Sequence, residues 1–252
     1  MHILLTNDDG YTAKGLQALI ELARPFGDLT IVAPQHPQSA TSMSVSVCKM
    51  LRFFPAEKMC NGYYCSGTPV DCVKMALNQL FAERKPDLVL SGINHGSNSS
   101  TAQLYSGTLG ATAEAALNGI PAMAFSLCSH NPDADFTALI HYGRKILAQF
   151  IENPPKKYTY LNVNAPLATI EEIKGIRFAR MGMGYWIKEM QERIDPYSKP
   201  YYWVVGEFVN SQKEDPSCDH NLLEQKYITI VPHQVDSTNL AEIARLEACW
   251  DI

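Results

Sequence analysis

Long apolar runs, paired cysteines and an excess of basic charge are all missing from this chain of 252 residues, and each absence excludes a class of function. No apolar stretch approaches the ~18–20 residues that cross a bilayer. Ile3-Leu4-Leu5 is too short for a signal-peptide core and has no basic flank. A cytoplasmic protein with no membrane partner is therefore expected. The net charge is -5, from 21 basic and 26 acidic residues, with no block of one sign. A general nucleic-acid binder would show a basic face, so no stable nucleic-acid partner is expected. A small anionic substrate stays open, because a metal or backbone N–H groups can supply positive potential locally. The seven cysteines (48, 60, 65, 72, 128, 218, 249) are scattered and form no Cys-x-x-Cys, which argues against structural zinc and against a disulfide scaffold. Free thiols in a reducing compartment are the expectation. Among the seven histidines there is no His-Glu-x-x-His, so a zincin-type site has no support.

What is present is an alternation of strand and helix signals. Ile3-Leu4-Leu5 ends at Thr6-Asn7-Asp8-Asp9-Gly10. Leu16, Leu19, Ile20 and Ala23 recur at helical spacing, closed by Pro25 and Gly27, and Leu29–Ala33 is a second apolar run stopped by Pro34. Strand, helix and strand in that order make a βαβ unit, whose crossover implies a parallel sheet. Gln35–Ser66 reads as a loop with an antiparallel excursion, and Pro69 opens a helix. Leu88-Val89-Leu90 is a third strand ending at Ser91-Gly92, followed by a small-residue helix at Gly110–Asn118. A strand at Ala122–Ser126, a helix at Phe136–Ile151 and a strand around Tyr160–Val163 complete a three-layer α/β/α core. From about Gly175 that rhythm stops in a segment crowded with Tyr185, Trp186, Tyr197, Tyr201, Tyr202 and Trp203. Tyr227–Val231 then reads as a strand and Leu240–Cys249 as a closing helix. One domain, 1–252, is expected: a core of about 1–170 with a C-terminal helix at about 238–250, and a β-rich extension at about 175–236.

In an open parallel sheet, ligands bind beyond the carboxyl ends of the strands. The first strand delivers Asn7-Asp8-Asp9-Gly10 there, the second Pro34 to Ser39 with Thr41 and Ser42, and the third Ser91 to Asn98. Adjacent carboxylates repel unless a cation neutralises them. A hard divalent ion takes one or two carboxylates plus neutral oxygens, which makes Asp8 and Asp9 candidate ligands, with Ser39 and Asn94 as neutral ones. A polar turn closed by an Asx hydrogen bond is the competing reading of Asp8-Asp9-Gly10. Tyr105-Ser106-Gly107-Thr108 leads into the small-residue helix, where unpaired N–H groups and two hydroxyls make an anion cradle; an ordinary N-cap is the competing reading. Ser66-Gly67-Thr68-Pro69 reads as a cap with a structural duty. His95 is either an exposed loop residue or a substrate contact, and Met181–Trp186 either a base-stacking flap or packing of the extension.

These residues also resemble a known family. Leu5-Thr6-Asn7-Asp8-Asp9-Gly10, Ala33-Pro34 with Ser39, Gly67-Thr68-Pro69 with Asp71, Ser91-Gly92-Ile93-Asn94 with Gly96 and Asn98, Tyr105-Ser106-Gly107-Thr108, Asn162-Val163-Asn164, Tyr201-Tyr202-Trp203 and Tyr227–Ile230 are similar, in order, to the SurE (survival protein E) nucleotidases. The resemblance implies a 5′/3′-nucleotidase acting on nucleoside monophosphates with one Mg²⁺ or Mn²⁺ per subunit. It also implies a Rossmann-like core and a homodimer or homotetramer built through the C-terminal extension. Position by position, it puts the metal on Asp8, Asp9, Ser39 and Asn94, catalysis on Asp8 and Asp9, and phosphate on Asn94, Ser106, Gly107 and Thr108. The chain departs from the family at Ala40, where Gly is usual, and at Ser100 and Ala102, where Gly and Asp are usual. A receiver-like signalling domain would want an acceptor Asp at the third strand end, where Ser91 stands. A nucleotide- and metal-binding regulator without turnover is the other alternative.

Overall fold

The apolar run at the start becomes a central strand. The structure, a computed structural model, describes residues 1–56 and 61–250, and Cys60 lies outside them. Strand β1 (His2–Thr6) leads into helix α1 (Lys14–Ala23) and strand β2 (Asp28–Pro34). A short hairpin follows, β3 (Phe53–Pro55) and β4 (Gly62–Cys65), then helix α2 (Pro69–Met75) and strand β5 (Leu88–His95). Helix α3 (Gly107–Leu117), strand β6 (Ala122–Cys128), helix α4 (Thr137–Glu152) and strand β7 (Thr159–Pro166) continue the alternation.

Next come β8 (Gly175–Phe178), β9 (Gly184–Ile187), β10 (Met190–Ile194), β11 (Pro200–Val204) and β12 (Glu207–Asn210). Helix α5 (Asp219–Glu224), strand β13 (Tyr227–Gln234) and helix α6 (Leu240–Cys249) close the chain.

One nine-stranded sheet runs β3-β4-β2-β1-β5-β6-β7-β13-β8. Every neighbouring pair is parallel except β3 with β4 and β7 with β13. The alternation of side chains along β1 explains the two cores. Ile3 and Leu5 point to one face, where Leu16, Leu19 and Leu22 of α1 meet Leu139, Leu147 and Phe150 of α4. Leu4 points to the other, against Cys72 and Val73 of α2 and the alanines of α3. Glu114, buried in α3, is neutralised by Lys74 of α2 at 2.8 Å.

The chain leaves β1 toward β2 and β4, then returns to β5 on the other side of β1. That reversal opens a crevice between the tips of β1 and β5, where a parallel sheet holds its ligand. The third strand runs on through residues whose sequence suggests a loop: β5 continues to His95, with a register shift against β6 between Ser91 and Asn94. The apolar pattern stops at Leu90 because the next two residues are Ser91 and Gly92, small enough to be buried in a strand without being apolar.

Helix α1 lies directly on β5. A Cβ added at Gly15 would stand 1.9 Å from the Ile93 carbonyl oxygen. Gly15→Ala is therefore expected to lower stability by about 1–3 kcal/mol, the usual cost of overpacking. A fall in the urea midpoint at unchanged m value measures it, and an unchanged midpoint would refute the close approach.

The β-rich segment divides. β8 and β13 complete the edge of the main sheet, whereas among the described residues β10 pairs only with β11 and β9 only with β12. The β10–β11 ribbon is exposed along its whole length, and α6 buries none of its residues. No helix among the described residues is long and apolar enough to cross a membrane.

Candidate active site

The turn after β1 is locked by its own side chain. Asn7 Nδ2 donates to the Gly10 carbonyl at 2.9 Å, and Gly10 sits at φ +97°, where an L side chain is strained. The Asx-type closure competing with the metal reading is therefore present, but it uses Asn7 and leaves both aspartates free to face the crevice. Asp8 is buried, and its Oδ1 accepts the Thr108 hydroxyl at 2.7 Å. Asp9 Oδ2 accepts the His95 N–H at 3.1 Å.

Burial, with Asp9 beside it, pushes the Asp8 carboxyl up to about 7, against the Thr108 hydroxyl and the backbone N–H groups of Asp8 and Thr108. Asp9 is also raised, chiefly by burial, against the His95 N–H and the positive potential of His95 and His130. Among the described residues no Lys or Arg pairs with either carboxylate. Two carboxyls raised in this way at one strand tip would be relieved by a bound cation.

The neighbouring strand ends close around them. The Gln38 N–H donates to the Asp8 carbonyl at 2.7 Å, which draws the loop after β2 over the pair and sets Ser39 in an exposed turn beside it. The same loop is tied to the α3 side, since the Ser42 N–H donates to the Tyr105 carbonyl at 3.0 Å and the Ser42 hydroxyl to that of Leu104 at 2.8 Å. Gly110 permits the approach, because a Cβ there would stand 2.1 Å from the Ser42 carbonyl oxygen. On β5, Asn94 spends its Nδ2 on the Gly96 carbonyl at 2.8 Å. That bond assigns the amide, leaving Oδ1, the atom a hard cation prefers, outside it.

The start of α3 serves two duties. Ser106 accepts the Leu109 N–H at 3.2 Å and is the N-cap. Thr108 is fully buried and points at Asp8 rather than outward. The Thr108 N–H also acts on the Asp8 carboxyl, which leaves the Gly107 N–H as the unpaired donor of the first turn among the described residues, and a Cβ at Gly107 would stand 3.1 Å from the Asp8 Cβ. At the other hydroxyl-rich helix start, Thr68 accepts the Asp71 N–H and Asp71 the Thr68 N–H, a complete capping box with a structural duty.

Sequence reasoning missed the layer behind these residues. Asn98 Nδ2 donates to Ser126 Oγ at 2.8 Å and lies 3.4 Å from Thr108 Oγ1. Its own N–H donates to Asn164 Oδ1 at 2.8 Å, its carbonyl accepts Asn162 Nδ2 at 2.9 Å, and Asn164 Nδ2 donates to Asn162 Oδ1 at 2.9 Å. A buried chain of amides from β7 thus ends on the hydroxyl that holds Asp8. The readable signal was Asn162 and Asn164, two amides at i and i+2 on one face of an apolar strand. His130 was also missed. Its ring lies against Gly96, where an added Cβ would stand 2.5 Å from Cε1, and a fourth strand end thereby joins the crevice. His95 is held edge-on by Phe136 at 5.1 Å. The Met181–Trp186 stretch enters β9, paired with β12, where Trp186 meets Phe208 edge-on and Met183 and Tyr185 are exposed.

Among the described residues no three His, Cys, Asp or Glu side chains converge as a metal cage. Two carboxylates, with Asn94 and Ser39 as candidate neutral oxygens, are a donor chemistry that suits a hard divalent ion.

Comparison with known proteins places the whole chain among relatives of one family. A family model described as Survival protein SurE matches residues 3–188. The chain is 42% identical to a protein named 5′-nucleotidase SurE from Bacteroides fragilis, over 99% of this chain and 97% of that one. It is 41% identical to the protein of that name from Flavobacterium psychrophilum, over 99% and 97%. The crystal structure of SurE protein from Aquifex aeolicus superposes with a TM-score of 0.84 at 33% identity, covering 98% of this chain and all of that one.

Proposed function

The chain belongs to the SurE family, and from that premise we propose that it is a 5′/3′-nucleotidase, hydrolysing nucleoside monophosphates to nucleoside and phosphate with one Mg²⁺ or Mn²⁺ per subunit. The observation that carries the reading is the Asp8–Asp9 pair at the switch point of the sheet, Asp8 buried and Asp9 half-buried, without a Lys or Arg partner among the described residues and both raised from the ordinary aspartate value. Asp8, Asp9, Ser39 and Asn94 would hold the ion, which supplies charge neutralisation and polarisation of the phosphoryl group.

The chain's own residues do the rest. The free N–H of Gly107, with those of Ser106 and Thr108 beside it at the positive end of α3, faces phosphoryl oxygens, and Asn94 stands across the crevice as a further phosphate contact. The Asp8–Asp9 pair orients the attacking water and takes its proton. Ser106 acts by capping α3, which keeps those donors aimed. Phosphoryl transfer asks mainly for positioning and charge stabilisation, and this site consists of little else.

Phosphate release from 5′- and 3′-nucleoside monophosphates, with Mn²⁺ and with chelator, tests the reading. Release that needs the metal is expected. If no nucleotide is hydrolysed under any divalent ion, the enzymatic reading fails.

The bond from Thr108 to Asp8 carries its own prediction. Thr108→Val keeps the volume and removes the donor, and loss of a group that orients a ligand typically costs about 10–100-fold in metal affinity. Thr108→Ser keeps the hydroxyl and is expected to stay near wild type. Mn²⁺ titration calorimetry reads both variants. Equal affinities for Val and Ser would remove Thr108 from this role.

Two further parts of the proposal concern the molecule's surroundings. Its six described cysteines are free thiols, in keeping with a reducing cytoplasm. The exposed β10–β11 ribbon, with Met190, Ile194, Tyr197 and Trp203 uncovered, supports a homodimer or homotetramer built through the extension. Sedimentation equilibrium checks this, and a monomer would refute it.

A further inference from the structure

Asp219 lies outside every role assigned to the crevice, yet it is 1% exposed and carries the chemistry of a clamp. An ionised carboxylate in the interior is costly unless donors surround it. No Lys, Arg or His pairs with it among the described residues. Its donors come from three separate segments. The Ser100 N–H reaches Oδ2 at 2.8 Å, while Oδ1 takes the Ser100 hydroxyl at 3.3 Å, the Gly182 N–H at 2.9 Å and the His220 N–H at 2.8 Å.

The three segments are the turn after β5, the entry to β9 and the start of α5. Each is fitted to the carboxylate. Ser100 is held at φ +53°, a left-handed conformation that suits glycine and that a serine adopts at a cost. The Ser100 hydroxyl is a donor to Oδ1 that a glycine would lack. Gly182 has no room for a side chain, because a Cβ would stand 2.3 Å from Cys218 Sγ and 2.7 Å from Ser100 Oγ.

The turn that Asp219 grips is the one that builds the phosphate side of the crevice. Residues Ser100–Tyr105 run directly into Ser106 and the first turn of α3. Two residues before that turn stands Asn98, beside Thr108, and its last two carbonyls hold Ser42 of the loop bearing Ser39. A second tie to the extension, from Thr101 Oγ1 to the Gly184 carbonyl at 2.9 Å, fixes the same turn. Asp8, Asp9 and Asn94, by contrast, sit at the tips of β1 and β5 and make no bond to Asp219.

We propose that Asp219 is a positioning residue for phosphate binding: by gripping Ser100 and Gly182 it couples the β-rich extension to the turn that aims the start of α3 and the Gly107 N–H. The inference rests on the nucleotidase reading and adds to it a dependence of the phosphate side on the extension. A misplacement near 1 Å, caused away from the chemistry, can cost on the order of 10²-fold.

The test is Asp219→Asn, which keeps the shape but turns an amide toward N–H donors. Nucleotide KM, the inhibition constant of inorganic phosphate and the Mn²⁺ dissociation constant are measured in parallel. KM and the phosphate constant are expected to rise at least about tenfold, the equivalent of about 1.4 kcal/mol, with Mn²⁺ affinity within about threefold of wild type. Gly182→Ala retains the carboxylate and wedges the clamp open, so the same split is expected there, and it serves if Asp219→Asn does not fold. Ser100→Gly, which keeps the 2.8 Å bond and relieves the backbone, is expected near wild type. An active wild type with KM and phosphate binding unchanged in a folded variant overturns the proposal. So does a loss of Mn²⁺ affinity in step with phosphate, which would report general loosening. A wild type that neither binds Mn²⁺ nor releases phosphate overturns the nucleotidase reading, and this one with it.

Discussion

Asp9→Asn is expected to abolish metal-dependent phosphate release while leaving the fold intact. The substitution is nearly isosteric, and the amide oxygen can still accept the His95 N–H that Asp9 Oδ2 now takes at 3.1 Å. What disappears is one negative charge out of two at a site where no Lys or Arg among the described residues compensates either. A bound metal contributes several kcal/mol of transition-state stabilisation, and each 1.36 kcal/mol is tenfold in rate. The expected loss in kcat/KM is therefore on the order of 10³-fold or more, accompanied by a Mn²⁺ affinity too weak to follow by calorimetry. Asp8→Asn should behave alike, with Thr108 still donating to the amide oxygen. Turnover within about tenfold of wild type in Asp9→Asn would take that carboxylate out of the metal site.

How much of this was legible depended on whether a residue's partner lay nearby in sequence. The acid pair stood out because an apolar run stops there and the chain turns, and Ser39 and Asn94 followed from asking what other strand tips deliver. The parallel core could be read for the same reason, since each βαβ unit is local. The length of β5 could not, because Ser91 and Gly92 are buried without being apolar. Thr108 looked like a phosphate contact at a helix start, but its hydroxyl bonds to a residue 100 positions away, and no local pattern encodes that choice. Asp219 reads locally as an acid in the first turn of a helix, a common preference; only the fold shows that its donors lie on Ser100 and Gly182. β13 was legible as a strand, yet its antiparallel pairing with β7 spans the whole extension, and periodicity carries no information about such a partner.

The last expectation joins the two aspartates to stability. In the metal-free protein, thermal stability should fall as pH rises from about 4 to about 7. Asp8 titrates near 7 in the folded chain against an ordinary value of 3.8. Between those values the folded state retains a proton that the unfolded state has already lost, so raising the pH favours unfolding. Above about 7 the effect is fully developed and the curve levels. Each tenfold difference in proton affinity between the folded and unfolded chain is worth about 1.36 kcal/mol. The loss is therefore on the order of a few kcal/mol for Asp8, and Asp9, raised in the same direction, adds to it. His233 works the other way, because burial lowers its pKa and the unfolded chain binds its proton more readily. The difference between wild type and Asp8→Asn cancels that contribution and isolates the carboxylate. In chelator at pH 8, Asp8→Asn should melt above wild type, even though it is catalytically dead. Mn²⁺ should invert the wild-type slope, because the ion binds the deprotonated pair and competes with the proton. Melting curves from pH 5 to 8, with chelator and with Mn²⁺, separate these cases. A wild-type to Asp8→Asn difference that stays flat across that range in chelator would mean that burial and the neighbouring Asp9 do not raise Asp8, and the pair would then need no cation to relieve it.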